Sequence, residues 1–511
     1  MADSTPLLSN SASTNLPYYE DCLEDLIEPY IKGFRWSQAL QVILISLASF
    51  FEAQQTFITI FTDAKPSWHC TQSTANTTCN STSNICEIPA NSWHWDKPAR
   101  SSIVSEWSLI CPSDQIVSGL PSSSFFVGCL LGGIILSFLG DSHGRKKLLV
   151  LSCLTMSTAS ILIAFSRNIW VYSGLRLLSG FGRAAIGSCV LVLSTESVGK
   201  QWRGQVGIIG FFCSTLGFLS LPALAYFNRF YSWRSLYLLT SIPAIVYCLL
   251  IQFCVYESPK WLIEQGKLGE ALAVLNTHAH YPDCNDSGFS MKYYKNKNQT
   301  RKVDSNQSLI TTLLKNKSVL QQLILAMSVG FGIGMVYYGI PLGVGNLDFN
   351  IYLSAAFNAL LEIPSAALTF YLAKCRRRCS LLALSTVSGV CGIACILVGK
   401  WKGLQMGLEL TSFFSACAAF NLLLIYAVEI FPTSTRNSAL SMVWQAIVLS
   451  GAISPLVIAI AEDYNKILPH FVFGVLILIL GSLVIFLPET MSGNHSITLA
   501  EQEEEHDDQL C

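Results

Sequence analysis

Charge is what this chain has least of: Asp, Glu, Lys and Arg make up 13% of its 511 residues, while apolar types make up 51%. Soluble domains carry roughly a quarter charged residues, and a mean hydropathy of +0.45 excludes an ordinary soluble chain. The formal net charge of −1 leaves no basic footprint for nucleic acid, so no nucleic-acid partner is expected. Residues 1–36 are polar and acidic and lack the short apolar core of a cleavable signal peptide, so none is expected. No metal site is expected either.

What is present is a succession of apolar runs, each long enough to cross a bilayer as a helix of about 20 residues. They fall near 38–61, 116–140, 147–166, 169–192, 205–226 and 235–254, and again near 319–343, 350–373, 380–398, 404–428, 438–460 and 467–487. The pattern predicts an all-α polytopic membrane protein in two six-helix halves, 37–254 and 319–487. A cytosolic arm 1–36, a loop 62–115, a cytosolic central loop 255–318 and an acidic cytosolic tail 488–511 complete the expected organisation. Basic residues support that orientation: Arg145, Lys146 and Lys147 follow the second run, nine Lys or Arg lie in 255–318, and Arg376, Arg377 and Arg378 follow the eighth. Lys400 and Lys402, expected on the other side, run against it.

The halves echo each other at a distance of 233 residues. ESVGKQWR (196–203) returns as EIFPTSTR (429–436), each with its acid and base seven apart, and Arg145 maps onto Arg378. A repeat of this length in an apolar chain reads as duplicated membrane halves.

Cys70, Cys79, Cys86 and Cys111 share one hydrophilic stretch with the sequons at Asn76 and Asn80, which predicts a glycosylated, two-disulfide loop facing an oxidising compartment. The sequons at Asn285, Asn298, Asn306 and Asn316 lie in the basic central loop and are expected to be unused. Asp3, Leu7 and Leu8 form an acidic dileucine pattern, an endosomal or vacuolar address read by a sorting adaptor. It favours the vacuolar membrane over the plasma membrane.

Three phrases carry a family resemblance: SSIVSEWSLIC (101–111), ESPKWLIEQGK (257–267) and EIFPTSTRN (429–437). Together they resemble the organic cation/carnitine transporter family of the major facilitator superfamily. YYGIPLGVGNL (337–347) and FEAQQTFITIFTDAKPSWHC (51–70) look like its plant branch. GDSHGRKK (140–147) is similar to the superfamily's loop signature, with Ser142 and Ser137 where an Arg or Lys and a Gly usually stand. The resemblance implies the twelve-helix major facilitator fold and a carrier rather than an enzyme, moving small organic cations or carnitine-like zwitterions by alternating access. An organic anion or sugar carrier of the same fold is the alternative, and a non-transporting receptor a more distant one.

Ionisable groups inside the spans are candidate functional groups by default. Glu362, in NALLEIPSA (358–366), is one, and the resemblance implies that its counterpart lies in the binding cavity beside the aromatic at Tyr337. A carboxylate attracts a cation at long range, and an aromatic face binds a quaternary ammonium by cation–π contact. Glu52, followed by Gln54 and Gln55, is the other: it binds substrate, takes up a proton, or is a structural acid. Tyr338, Phe211 and Phe212 are candidate lining residues, with helix packing as the alternative. Arg176 and Glu409 occupy equivalent places under the repeat, and Arg176 is read as structural. The resemblance places the neutral Val448 where relatives carry an acid or a base. Asp141, Gly144, Arg145, Glu196, Arg203, Glu429 and Arg436 are expected to latch the cytosolic side, Glu196 and Arg203 as a charge pair. STESVGKQ (194–201) lacks the glycine and the hydroxyl after lysine that a phosphate loop needs, so no nucleotide or other cofactor is expected. A proton or a sodium ion is the candidate coupling ion.

Overall fold

The structure is a computed structural model. It describes residues 27, 33, 35–71, 85–88, 92–278, 317–346, 349–398, 401–431, 436–462 and 465–489, without the side chains of 87, 112–115, 137–142, 278, 346 and 462. Asp3, Leu7, Leu8, Asn76, Asn80, Cys79 and the Asp141 side chain lie outside what it describes.

Among the described residues, twelve helices are long and apolar enough to span a membrane. They are α1 (Trp36–Thr62), α2 (Ile116–Leu136), α3 (Arg145–Ile163), α4 (Ile169–Glu196), α5 (Lys200–Phe227), α6 (Trp233–Cys254), α7 (Lys317–Leu342), α8 (Ile351–Leu372), α9 (Arg377–Leu397), α10 (Lys402–Ile430), α11 (Arg436–Ala461) and α12 (Leu468–Phe486). Helices are forced on these runs because lipid offers no partner for backbone N–H and C=O groups. Polar caps fix several starts: Asn168 accepts from the Val171 N–H, Ser232 from Arg234 and Asn350 from Tyr352.

The 233-residue echo carries into helix bounds. Shifted by that distance, α4 falls on 402–429 against the observed Lys402–Ile430 of α10, and α5 falls on 433–460 against Arg436–Ala461 of α11. Within each half, helices touch through small residues. A Cβ at Gly180 of α4 would stand 1.9 Å from the Phe125 carbonyl oxygen of α2, and one at Gly128 2.0 Å from that of Leu177. Glycine at 204, 207 and 210 of α5 makes no such approach, although its spacing suggests one. The tight glycine of that helix is Gly217, packed on the Phe50 carbonyl of α1.

Two family phrases interlock at the basic end of the bundle. Gly144, at φ +99°, turns the chain between α2 and α3 and lies against the Glu257 carboxylate, which also accepts from the Lys146 N–H at 3.0 and 3.2 Å. Ser258 caps the next helix, Pro259–Glu264, by accepting from the Trp261 N–H. That helix and Leu268–His278 bury Trp261, Leu262, Ile263 and Leu275 together with Ile27, so the first part of the expected central loop is folded.

At the opposite end, the loop after α1 carries a two-stranded antiparallel sheet, β1 (Trp68–Cys70) with β2 (Trp93–Trp95). The phrase SSIVSEW anchors it. Glu106 accepts from Trp233 Nε1 at 2.7 Å and from Arg234 at 2.5 Å, and Trp107 packs edge-on against Tyr172 and Trp233. Cys86 is bonded to Cys111, and Cys70 is disulfide-bonded as well.

Candidate functional site

Glu362 stands near the middle of α8, roughly 16 Å along the helix from its start at 1.5 Å per residue. Pro364, two residues on, has no N–H to give the Leu360 carbonyl, so the backbone beside Glu362 is locally less satisfied. The carboxylate is 4% exposed. One oxygen accepts from Thr215 Oγ1 of α5 at 2.9 Å, and the other accepts from the Tyr337 hydroxyl of α7 at 3.1 Å. Both donors are neutral, and no cation faces Glu362 among the described residues. The bonds reach it from both halves, since α5 belongs to the first and α7 and α8 to the second.

Aromatic rings continue the site. Tyr337 stacks on Phe420 at 4.8 Å and Phe413 at 6.0 Å, with interplanar angles of 12° and 15°. Phe420 meets Trp444 of α11 edge-on at 5.6 Å. Tyr338 lies across Tyr337 and reaches Phe126 of α2 at 4.7 Å. A buried carboxylate beside several π faces is suited to an organic cation, whose charge needs a counter-ion and whose alkyl groups need a dry wall.

Glu52 is arranged differently. Arg183 of α4 holds it in an ion pair at 3.0 Å, with another guanidinium nitrogen 3.7 Å from the Cys129 sulfur. Its charge is answered within the first half, which sets it apart from Glu362 as a group open to a substrate cation. Arg176 donates to the Gln55 carbonyl at 2.9 Å and lies 4.2 Å from the Phe125 ring centroid. Its repeat partner Glu409 is fully buried and accepts from Asn358 at 3.3 Å. Phe212 is 47% exposed on α5, and Phe211 is half-buried. Val448 is buried.

The charged groups at the basic end pair in a way the seven-residue spacing does not foretell. Glu196 faces Arg145 at 4.0 Å, joining α3 to α4, instead of the expected Arg203. Glu429 pairs with Arg377, joining α9 to α10, one residue from the position the repeat maps; Arg378 donates instead to the Ile485 carbonyl. Helix geometry explains this: seven residues beyond each acid the chain has already turned into the next helix, while the base that starts the preceding helix lies alongside. Both pairs join helices of one half. Arg203 and Arg436 lie at the starts of α5 and α11. In STESVGKQ, Ser197 accepts from Gln41 at 3.1 Å, tying α4 to α1.

The loop end is drawn together around Tyr352 of α8. Its ring stacks on Phe61 of α1 at 5.6 Å, meets Tyr226 of α5 edge-on at 5.6 Å, and its hydroxyl accepts from Lys97 at 3.3 Å. Arg183, Thr215, Phe413, Phe420 and Trp444 escape a reading of the sequence. Arg183 alone carries a signal, a base well inside an apolar run.

The sequence profile of the sugar (and other) transporter family matches residues 49–504. Organic cation/carnitine transporter 3 of Arabidopsis thaliana is 49% identical, over 98% of this chain and 98% of its own. Organic cation/carnitine transporter 2 of the same organism is 47% identical, over 98% and 97%. Among solved structures, the inward open conformation of the xylose transporter XylE from E. coli superposes with a TM-score of 0.65 at 13% identity, covering 89% of this chain and 96% of that one.

Proposed function

The chain belongs to the organic cation/carnitine transporter family of the major facilitator superfamily, whose members are carriers and not enzymes, and we propose that it moves small organic cations or carnitine-like zwitterions by alternating access, with Glu362 and Tyr337 holding the cationic group. The observation that carries this reading is the Glu362 carboxylate at mid-helix, bonded by one neutral hydroxyl from each half and walled by stacked rings. A quaternary ammonium has no N–H to donate, so it can sit against the rings and feel the carboxylate while Thr215 and Tyr337 keep their hydrogen bonds. Rocking of α5 against α8 would expose the site to each side in turn. In the conformation described, the Tyr352 cluster closes the loop end. Glu52 serves this scheme as the ion-paired partner of Arg183, and a proton or sodium ion as the coupling ion.

The loop end would face a lumenal or extracellular compartment, where Asn76 and Asn80 are glycosylated, and the dileucine pattern would direct the protein to the vacuolar membrane. Replacing Leu7 and Leu8 by Ala should then move a tagged protein to the cell surface. Uptake into proteoliposomes, measured at two pH values for labelled tetraethylammonium, carnitine, xylose and an aromatic monocarboxylate, tests the substrate class. The proposal expects the first two to be carried and the last two not. Transport of xylose or the monocarboxylate alone would overturn it.

A further inference from the structure

Beyond the Glu362 site, a cavity of about 250 Å³ opens at the loop end, and among the described residues its walls carry Lys65, Lys97 and Arg229 and no acidic side chain. Three described acids nearby are engaged elsewhere. Asp63 accepts from Tyr172 and Thr62, Asp96 faces His69, and Glu106 holds Arg234 and Trp233. None of the three cations has a carboxylate partner among the described residues. Among the described residues, Lys97 donates to the Tyr352 hydroxyl alone. The Arg229 guanidinium lies over the rings of Tyr226 and Phe230, at 4.1 and 4.7 Å from their centroids. Stacking of this kind uses its π faces and leaves its in-plane N–H donors free.

Three positive charges with no carboxylate partner among the described residues, set around one concave, aromatic-walled space, focus positive potential and supply the donors a carboxylate accepts. We infer that this vestibule is a carboxylate-binding site, distinct from the cation site and reached before it from the loop side. The space suits a small molecule rather than a peptide. The carboxylate comes from one of two sources, a zwitterionic substrate entering carboxylate first, or a free organic acid acting from that side. A simple cation gains nothing here and is repelled.

The test uses the full chain, purified and in proteoliposomes, as wild type and as Lys65→Gln/Arg229→Gln, with Lys65→Arg/Arg229→Lys as the charge-conserving control. Glycine betaine and choline share a trimethylammonium and differ in the carboxylate. If the substrate supplies the carboxylate, neutralising both charges raises KM for glycine betaine by about tenfold, leaves that for choline unchanged or lower, and the control restores it. If a free acid supplies it, glutarate raises the melting temperature of the wild type and of the control but not of the neutralised variant, and the two KM values keep their ratio. The uptake arm rests on the cation reading of Glu362; glutarate binding does not. It is therefore repeated in Glu362→Gln, so that the two can fail separately. If the double variant does not fold, Lys65→Gln alone is expected to give about a threefold change in the same readout. No difference from wild type in both the glutarate shift and the KM ratio overturns the inference.

Discussion

Glu362 and Glu52 are both carboxylates within membrane-spanning helices, and their neighbours set them apart. Arg183 answers Glu52 directly, whereas among the described residues Glu362 receives hydroxyls alone. The division of labour at Tyr337 follows. In the proposed site its ring would face the substrate while its hydroxyl holds the carboxylate, so Tyr337→Phe should change KM for tetraethylammonium by less than about threefold, while Tyr337→Ala should raise it about tenfold. Uptake kinetics of the two variants check this. Asp63, the first residue beyond α1, gives a pH prediction. Burial raises its pKa from 3.8 to about 6, outweighing the hydrogen bond from Tyr172, nearby Arg176 and the hydrogen bond from Thr62, which pull it down. Because the folded value lies above the unfolded one, this group favours the folded state increasingly as pH falls from about 7 through 6 toward 4. Melting temperatures should show that slope in wild type and lose it in Asp63→Asn. The sequence displays acids in apolar runs and so reveals Glu362 and Glu52. It does not display which base or ring is brought to them from a helix far away in the chain, which is why Arg183, Thr215 and Phe420 stay hidden.

Helices were the most legible level, because a bilayer demands long apolar runs with internally satisfied backbones and so writes itself into composition. The 233-residue repeat placed α10 and α11 to within a few residues. Contacts between helices were less legible. The glycine triplet of α5 has the spacing of a packing face but touches nothing closely, while Gly180 lies against the Phe125 backbone. Spacing says which residues share a face; it does not say what that face meets. Gly180→Ala should therefore lower stability by about 1–3 kcal/mol through overpacking, and Gly204→Ala by less than about 0.5 kcal/mol. Melting of the purified variants separates the two. The salt bridges teach the same lesson: Arg377, not Arg378, reaches Glu429, since a one-residue step on a helix rotates a side chain by 100° and moves it off the shared edge.

Across the whole molecule, the two halves meet through a few specific groups, and alternating access requires those groups to part. At the loop end, Tyr352 of the second half is held by Phe61, Tyr226 and Lys97 of the first. Locking that end shut with a Phe61→Cys/Tyr352→Cys cross-link should abolish uptake, and reduction should restore it. Uptake by the cross-linked protein would mean that the loop end does not open during transport. At mid-membrane, Thr215 and Glu362 meet across the same boundary, which is where, in the proposed mechanism, a substrate held by one half would be released by the other. The most direct measurement is uptake of labelled tetraethylammonium by proteoliposomes containing wild type or Glu362→Gln at matched protein content. With the carboxylate as the cation's counter-charge, kcat/KM should fall by about tenfold to a hundredfold; an unchanged rate would contradict Glu362 as the cation site.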